Sequence, residues 1–162
     1  MPITFTPEQR PPMIDRLRRF PDELEQLVKG LSDHELYTAF IPNEWSVAQN
    51  VHHLPDSHMN AYVRTRLILT EDKPPLKGYA QAEWAKLADY KLPIEPSLAL
   101  LRSLHIRWCA LFDSLAPADF ARTGLHSEIG EVSLDDILKT YNNHCEAHIE
   151  QITRTLAAGR TK

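Results

Sequence analysis

The chain has 162 residues and a formal net charge of −4, with 18 lysines and arginines against 22 aspartates and glutamates. This acidic balance argues against nucleic acid and anionic membranes as partners, since both attract basic patches. Its 43% hydrophobic and 25% charged residues are typical of a globular protein, and the length predicts a single domain over residues 1–162.

The first two long helices predicted along the chain each contain a proline. One covers residues 11–29, and Pro21 is expected to kink or split it. The other begins after Ser46, a favoured N-cap, and runs to about Thr70. Pro55 removes a backbone donor from this second helix and should bend it.

Beyond residue 80 the pattern predicts one short helix, over residues 82–89, and two further long ones. The third long helix covers residues 96–115 and opens on a first-turn proline. The fourth begins after Ser133 as its N-cap and ends before Gly159, a glycine placed to terminate a helix. The stretch LHSEI before it, between two glycines, predicts a short hairpin or extended loop. Four long amphipathic helices indicate an all-α protein, a four-helix bundle.

Histidines lie on the apolar faces of the last two long helices. At about 100° per residue, His144 and His148 fall inside the apolar stripe of the fourth helix, four residues apart. His105 falls on the apolar stripe of the third helix, which should turn it towards any site that His144 and His148 form. It is a candidate catalytic residue, and it is expected to support or pack beside the site rather than to be a fourth ligand.

The second long helix carries three histidines. His58 lies on its apolar face, and His52 lies on a flank that we expect to be solvated. His53 lies on the other flank, in line with Asn60 and Arg64. A polar stripe beside an apolar one is typical of a helix that borders a cavity. Asn60 and Arg64 are therefore candidates for binding polar or anionic groups of a substrate.

The histidine pair of the fourth helix predicts a metal site. Two imidazoles at i and i+4 can chelate one cation because their side chains meet over one turn. One histidine of the second helix would complete three neutral nitrogen ligands, a set typical of a catalytic site with one open position. There a cation lowers the pKa of a bound water at neutral pH. The alternative is a hydrogen-bonded pair of core histidines without metal.

Three stretches of the chain resemble the YfiT-like metal-dependent hydrolases of the DinB superfamily, and the resemblance extends over nearly the whole length. They are EWSVAQNVHHLPDSHMNAYVR, SLALLRSLHIRWCALF and YNNHCEAHIEQI. The resemblance implies an antiparallel four-helix bundle that binds one divalent metal ion per chain, zinc or nickel. By position in the motifs, the implied ligands are His53, His144 and His148.

The resemblance also implies a cytoplasmic protein that forms homodimers and acts on a small molecule. The leading hypothesis is a hydrolase that activates water. Related members transfer thiols such as bacillithiol, so a transferase that binds a low-molecular-weight thiol is the alternative, with the same ligands. A non-enzymatic helical bundle that binds a partner is the third possibility, and it predicts no metal.

The first ten residues and the cysteines lead us to expect a cytoplasmic protein. The opening residues, MPITFTPEQR, contain neither a basic segment nor an apolar core, so we predict no signal peptide. No apolar run reaches the length of a membrane span. Two cysteines, Cys109 and Cys145, are too few for a disulfide framework and are expected to be reduced thiols.

Overall fold

A computed structural model describes residues 2–160. Its helices are α1 (Arg10–Val28), α2 (Asp33–Tyr37), α3 (Val47–Thr70), α4 (Gln81–Trp84), α5 (Glu95–Asp113) and α6 (Leu134–Arg160), with 3₁₀ turns at Ala88–Lys91 and Pro117–Ala121. Its strands are β1 (Pro75–Leu76), β2 (Thr123–His126) and β3 (Gly130–Ser133).

The four long helices form the predicted bundle. Both α1 and α3 pack against α5 and against α6, which places α1 diagonally opposite α3. The apolar stripes meet between them, and the largest fully buried side chains include Trp108, Phe20, Phe112, Leu17, Leu24, Leu54, Leu101 and Leu138. Within residues 2–160, every helix is too short or too polar to span a membrane.

Both predicted N-caps are confirmed, and they set the starts of the two helices that carry most histidines. The Oγ of Ser46 accepts the backbone N–H of Gln49 at 3.2 Å, and the Gln49 side chain accepts the N–H of Ser46 in return. The Oγ of Ser133 likewise accepts the N–H of Asp136 at 3.1 Å. These bonds satisfy donors that the first turn of a helix leaves without partners.

The prolines lie inside continuous helices. Pro21 does not split α1, and α3 continues through Pro55, with both prolines buried against the bundle. Tertiary packing on these faces compensates for the backbone hydrogen bond that each proline removes. In α1 the removed donor would have bonded the carbonyl of Leu17, four residues earlier.

The end of α6 differs from the prediction. The helix continues through Gly159 to Arg160, so this glycine does not terminate it. A side chain at residue 159 would place its Cβ 2.7 Å from a ring carbon of Phe40. Close packing against Phe40 therefore accounts for the glycine. At the end of α1, by contrast, a glycine does adopt the left-handed conformation, because Gly30, two residues after the last helical residue Val28, has a φ of 73°.

A small sheet lies beside the bundle. Strands β2 and β3 form the predicted hairpin, pairing antiparallel from Thr123 opposite Ser133 to His126 opposite Gly130. The two-residue β1 pairs parallel with β2, and such a short strand has no period in the sequence to reveal it. The single short helix expected over residues 82–89 is instead interrupted, as α4 followed by a 3₁₀ turn.

Candidate metal centre

Three histidines from two helices converge where α3 faces α6. The Nε2 atom of His144 lies 3.3 Å from that of His53 and 3.2 Å from that of His148. One nitrogen from each ring lies within 4.8 Å of the other two. A tetrahedral cation with nitrogens at about 2.0–2.1 Å would separate two of them by roughly 3.3–3.4 Å. Two of the three nitrogen pairs therefore have the separation expected around a single ion of the size of zinc.

Burial keeps these three imidazoles neutral. It lowers the pKa of His53 to about 3, with a smaller contribution from the neighbouring His148. The pKa of His144 falls to about 2 and that of His148 to about 4, with burial again the largest cause. Neutral imidazole is the form that binds metal ions, so the cluster is ready for a cation at neutral pH.

The ring of His148 is oriented by an amide of α3. Its Nδ1 lies 2.7 Å from Oδ1 of Asn50, and the amide nitrogen of Asn50 donates to the carbonyl of Ser46 at 2.9 Å. Because that second bond identifies the amide nitrogen, Oδ1 must accept and His148 Nδ1 must donate. The lone pair of His148 is therefore on Nε2, the atom that faces the other two rings.

His53 is held differently. Its Nδ1 is buried and has no hydrogen-bond partner among residues 2–160. Its ring packs against Trp45, with centroids 4.8 Å apart, and the same indole lies 6.5 Å from the ring of His148. Trp45 thus covers one side of the cluster with an apolar surface.

The cluster borders a cavity of about 380 Å³. Polar side chains dominate its lining, and besides the three histidines the cavity is lined by Asn43, Glu44, Trp45, Gln81 and Gln151. Sequence reasoning missed the polar residues among them, because Asn43 and Glu44 lie in the loop before α3 and Gln81 lies on the four-residue α4. Gln151 could have been predicted from the sequence, since it lies three residues after His148 on the same helix and therefore on the same face.

Asn60 and Arg64 do not line this cavity. The Asn60 amide donates to the carbonyl of Asp56 at 2.8 Å within α3, and the Arg64 guanidinium donates to the carbonyl of Lys77 at 2.6 Å. Arg64 also lies close enough to oppose the rise in the pKa of Tyr141 that burial causes. A role for Asn60 or Arg64 in substrate binding stays a prediction.

The prediction that His52 is solvated is wrong. Its side chain is buried between α3 and the segment that leads into α5, with Nδ1 2.8 Å from Oγ of Ser97 and Nε2 3.0 Å from the carbonyl oxygen of Leu92. Helical periodicity placed it correctly on a flank, but it could not show that residues 92–97 cover that flank.

The inward orientation of His58 and His105 is confirmed, since both are buried. His58 Nε2 lies 3.1 Å from Nδ1 of His144, and His58 Nδ1 lies 2.7 Å from Nε2 of His105. His105 is thus two rings removed from the convergent Nε2 atoms, behind His144 rather than beside the cavity.

Comparisons with known proteins bear on this arrangement. The family model of the DinB superfamily matches residues 16–152. A protein of Oceanobacillus iheyensis named "Putative metal-dependent hydrolase" is 43% identical over 140 residues, covering 86% of this chain and 81% of its own length. A protein of Geobacillus thermodenitrificans with the same name is 49% identical over 122 residues, covering 75% of this chain and 68% of its own length.

The similarity extends to a solved structure over most of the chain. YfiT from Bacillus subtilis, described as a probable metal-dependent hydrolase with an unusual four-helix bundle topology, aligns with a TM-score of 0.90 and 38% sequence identity. The alignment covers 94% of this chain and 88% of YfiT.

Proposed function

This chain belongs to the DinB superfamily, and from that premise we propose that it is a metal-dependent hydrolase acting on a small molecule. His53, His144 and His148 would hold one divalent cation, zinc or nickel, through their Nε2 atoms. The observation that supports this most directly is the position of His144, whose Nε2 lies 3.2–3.3 Å from the Nε2 atoms of His53 and His148, the distance between two ligands of one tetrahedral ion.

Three protein ligands leave one coordination position for a small molecule. When bound, the cation would lower the pKa of a water or thiol in that position and supply a nucleophile at neutral pH. The names of the relatives from Oceanobacillus and Geobacillus agree with this chemistry.

The chain's own cavity residues suit a small polar substrate. Glu44 contributes the carboxylate of the cavity lining, and Arg154 bonds one of its oxygens at 2.6 Å and so orients it. A carboxylate in that position can accept a proton from an attacking water. The amides of Gln81 and Gln151 offer both donors and acceptors to a polar substrate.

Metal content tests the ligand set. We expect the purified protein, after exposure to zinc or nickel and removal of loose ions, to retain about one ion per chain. His53→Ala should lose it, because the two remaining nitrogens hold a cation weakly. Elemental analysis measures both, and His34→Ala, at an exposed histidine, is the matched control. Equal metal content in His53→Ala and the control would contradict the assignment. Absence of metal from the wild type would favour the non-enzymatic bundle.

Turnover separates the hydrolase from the transferase that uses a low-molecular-weight thiol. The metal-loaded protein is incubated with activated esters, and separately with an alkylating electrophile with and without bacillithiol. Ester turnover with water alone, reduced in Glu44→Gln without loss of metal, supports the hydrolase. Turnover that requires the thiol contradicts it and supports the transferase.

A further inference from the structure

His58 and His105 connect the cluster to the opposite side of the bundle through hydrogen bonds in series. Nδ1 of His144 lies 3.1 Å from Nε2 of His58, and Nδ1 of His58 lies 2.7 Å from Nε2 of His105. The series ends where Nδ1 of His105 lies 2.6 Å from the carbonyl oxygen of Leu17 in α1. Each ring uses both nitrogens, so the proton position on one ring determines that on the next.

The hydrogen bond to the Leu17 carbonyl determines which nitrogen donates and which accepts in each of the other bonds of the series. A carbonyl oxygen only accepts, so His105 must donate from Nδ1. Pro21 lies four residues after Leu17 and has no N–H, so this carbonyl lacks its usual helical donor. The proline within α1 therefore supplies an acceptor that His105 satisfies.

From this end the proton positions follow ring by ring. Burial lowers the pKa of His105 to about 4, so the ring is neutral and its Nε2 accepts. His58 must then donate from Nδ1 and accept at Nε2, and the proton between His58 and His144 must come from Nδ1 of His144. The lone pair of His144 is left on Nε2, the atom 3.2–3.3 Å from the other two histidines.

We propose that His58 and His105 are positioning residues that hold His144 in the tautomer protonated at Nδ1, so that its Nε2 lone pair is directed at the metal. This inference rests on the proposed metal site. If the hydrogen bonds ran in the opposite direction, Nδ1 of His105 would carry a lone pair instead of a proton. That lone pair would face the carbonyl oxygen of Leu17 at 2.6 Å, so two acceptors would meet. Because a carbonyl cannot pass a proton on, the series orients a ligand and does not conduct protons.

The lone pair of His148 also makes the histidine cluster favour a bound cation. Asn50 leaves His148 with its lone pair on Nε2 as well. The 3.2 Å contact between Nε2 of His144 and Nε2 of His148 then joins two acceptors and cannot be a hydrogen bond. A cation between them removes this repulsion.

Aromatic rings around His58 exclude other partners. Phe20 stacks on it with centroids 5.7 Å apart, and Trp108 and Tyr141 meet it edge-on at 6.0 and 5.0 Å. His58 is 0% exposed, so water does not compete for its nitrogens. The only polar groups within reach are those of the series itself among residues 2–160.

Nitrogen NMR of metal-free wild-type protein labelled at histidine tests the tautomer directly. Two-bond correlations distinguish a protonated ring nitrogen from an unprotonated one. We expect His144, His58 and His105 to be protonated at Nδ1 alone. Protonation of His144 at Nε2 would overturn the proposal, whatever the protein's affinity for metal.

Two amide substitutions test the connection to metal affinity. In His58→Gln the amide reaches the position of Nε2, so its oxygen can still accept from His144. In His58→Asn the shorter amide occupies the position of Nδ1 and leaves His144 without an acceptor. We expect zinc affinity to fall about 10–100-fold in the Asn variant and distinctly less in the Gln variant. His52→Asn, which removes a buried histidine of the same helix that lies outside the series, is the control.

The outcomes separate this inference from the proposed function. A purely structural role for His58 would weaken zinc binding equally in the Gln and Asn variants, which overturns the inference while the metal site stands. Failure of the wild type to bind zinc or nickel overturns the proposed function instead. The expected result is a larger loss in Asn than in Gln, together with a mixture of His144 tautomers in the Asn variant.

Discussion

At the scale of single residues, the three candidate ligands have unequal support. His148 is bonded to the Asn50 amide, and His144 is bonded to His58, whereas Nδ1 of His53 has no partner within residues 2–160. A hydrogen bond to the distal nitrogen orients an imidazole ligand and raises its basicity. The affinity of the site should therefore depend on side chains that never touch the ion.

Asn50→Leu tests this dependence at His148. The substitution removes the acceptor for His148 Nδ1, so the ring can rotate or adopt the other tautomer, and we expect zinc affinity to fall about 10–100-fold. Competition with a coloured chelator measures the affinity. Asn142→Leu is the control, because its amide donates to the carbonyl of Leu138 within α6. Equal affinities in the two variants would contradict the role given to Asn50.

At the scale of secondary-structure elements, the residues at which α3 and α6 begin and the residue at which α6 ends are determined by different interactions. Side-chain caps at Ser46 and Ser133 start α3 and α6, and these caps are local in sequence. The last turn of α6 depends on a distant residue instead. Gly159 stays helical and lies against the ring of Phe40, which belongs to the loop before α3. This contact joins the end of α6 to the segment that lines the cavity.

Gly159→Ala should therefore destabilise the protein although alanine is the better helix former. Overpacking against Phe40 costs typically about 1–3 kcal/mol, and the gain in helix propensity is about 1 kcal/mol. Urea unfolding measures the free energy. With Phe40→Leu in the background the steric cost should shrink, so the same alanine becomes neutral or stabilising. An equal effect of Gly159→Ala in both backgrounds would show that Phe40 is not the cause.

At the scale of the whole molecule, the bundle buries five of the chain's eight histidines. His52, His53, His58, His105 and His148 are each less than a tenth exposed. Burial is the largest cause of a lowered pKa in every one of them. Folding of the metal-free protein therefore requires these rings to stay neutral, which couples stability to pH.

The metal-free protein should lose stability as the pH falls from about 6.5 to about 4. In this range the unfolded chain binds protons at its histidines and the folded chain does not, so protons favour unfolding. For His105, whose folded pKa is about 4, the loss approaches about 1.4 kcal/mol per pH unit. Urea unfolding at several pH values measures the slope, and His105→Leu should reduce it. A slope of zero across this range would contradict the buried neutral state.

The sequence by itself determined the features that depend on neighbours along one helix. Capping residues and hydrophobic periodicity predicted the long helices to within a few residues at most ends. The i, i+4 spacing placed His144 and His148 on one face, because adjacent turns of a helix bring such side chains together. The hairpin before α6 followed from its glycines.

Only the tertiary structure decided which groups those faces meet. Periodicity directed His58 inward and left His53 on a flank, yet His53 joins the helix α6 pair while His58 lies behind it. The burial of His52 and the loop residues of the cavity lining were equally hidden. The periodicity of a helix shows on which side of that helix a residue lies. It does not show which residue of another helix lies opposite, because that depends on how the helices pack, and the packing is determined by contacts between residues distant in sequence.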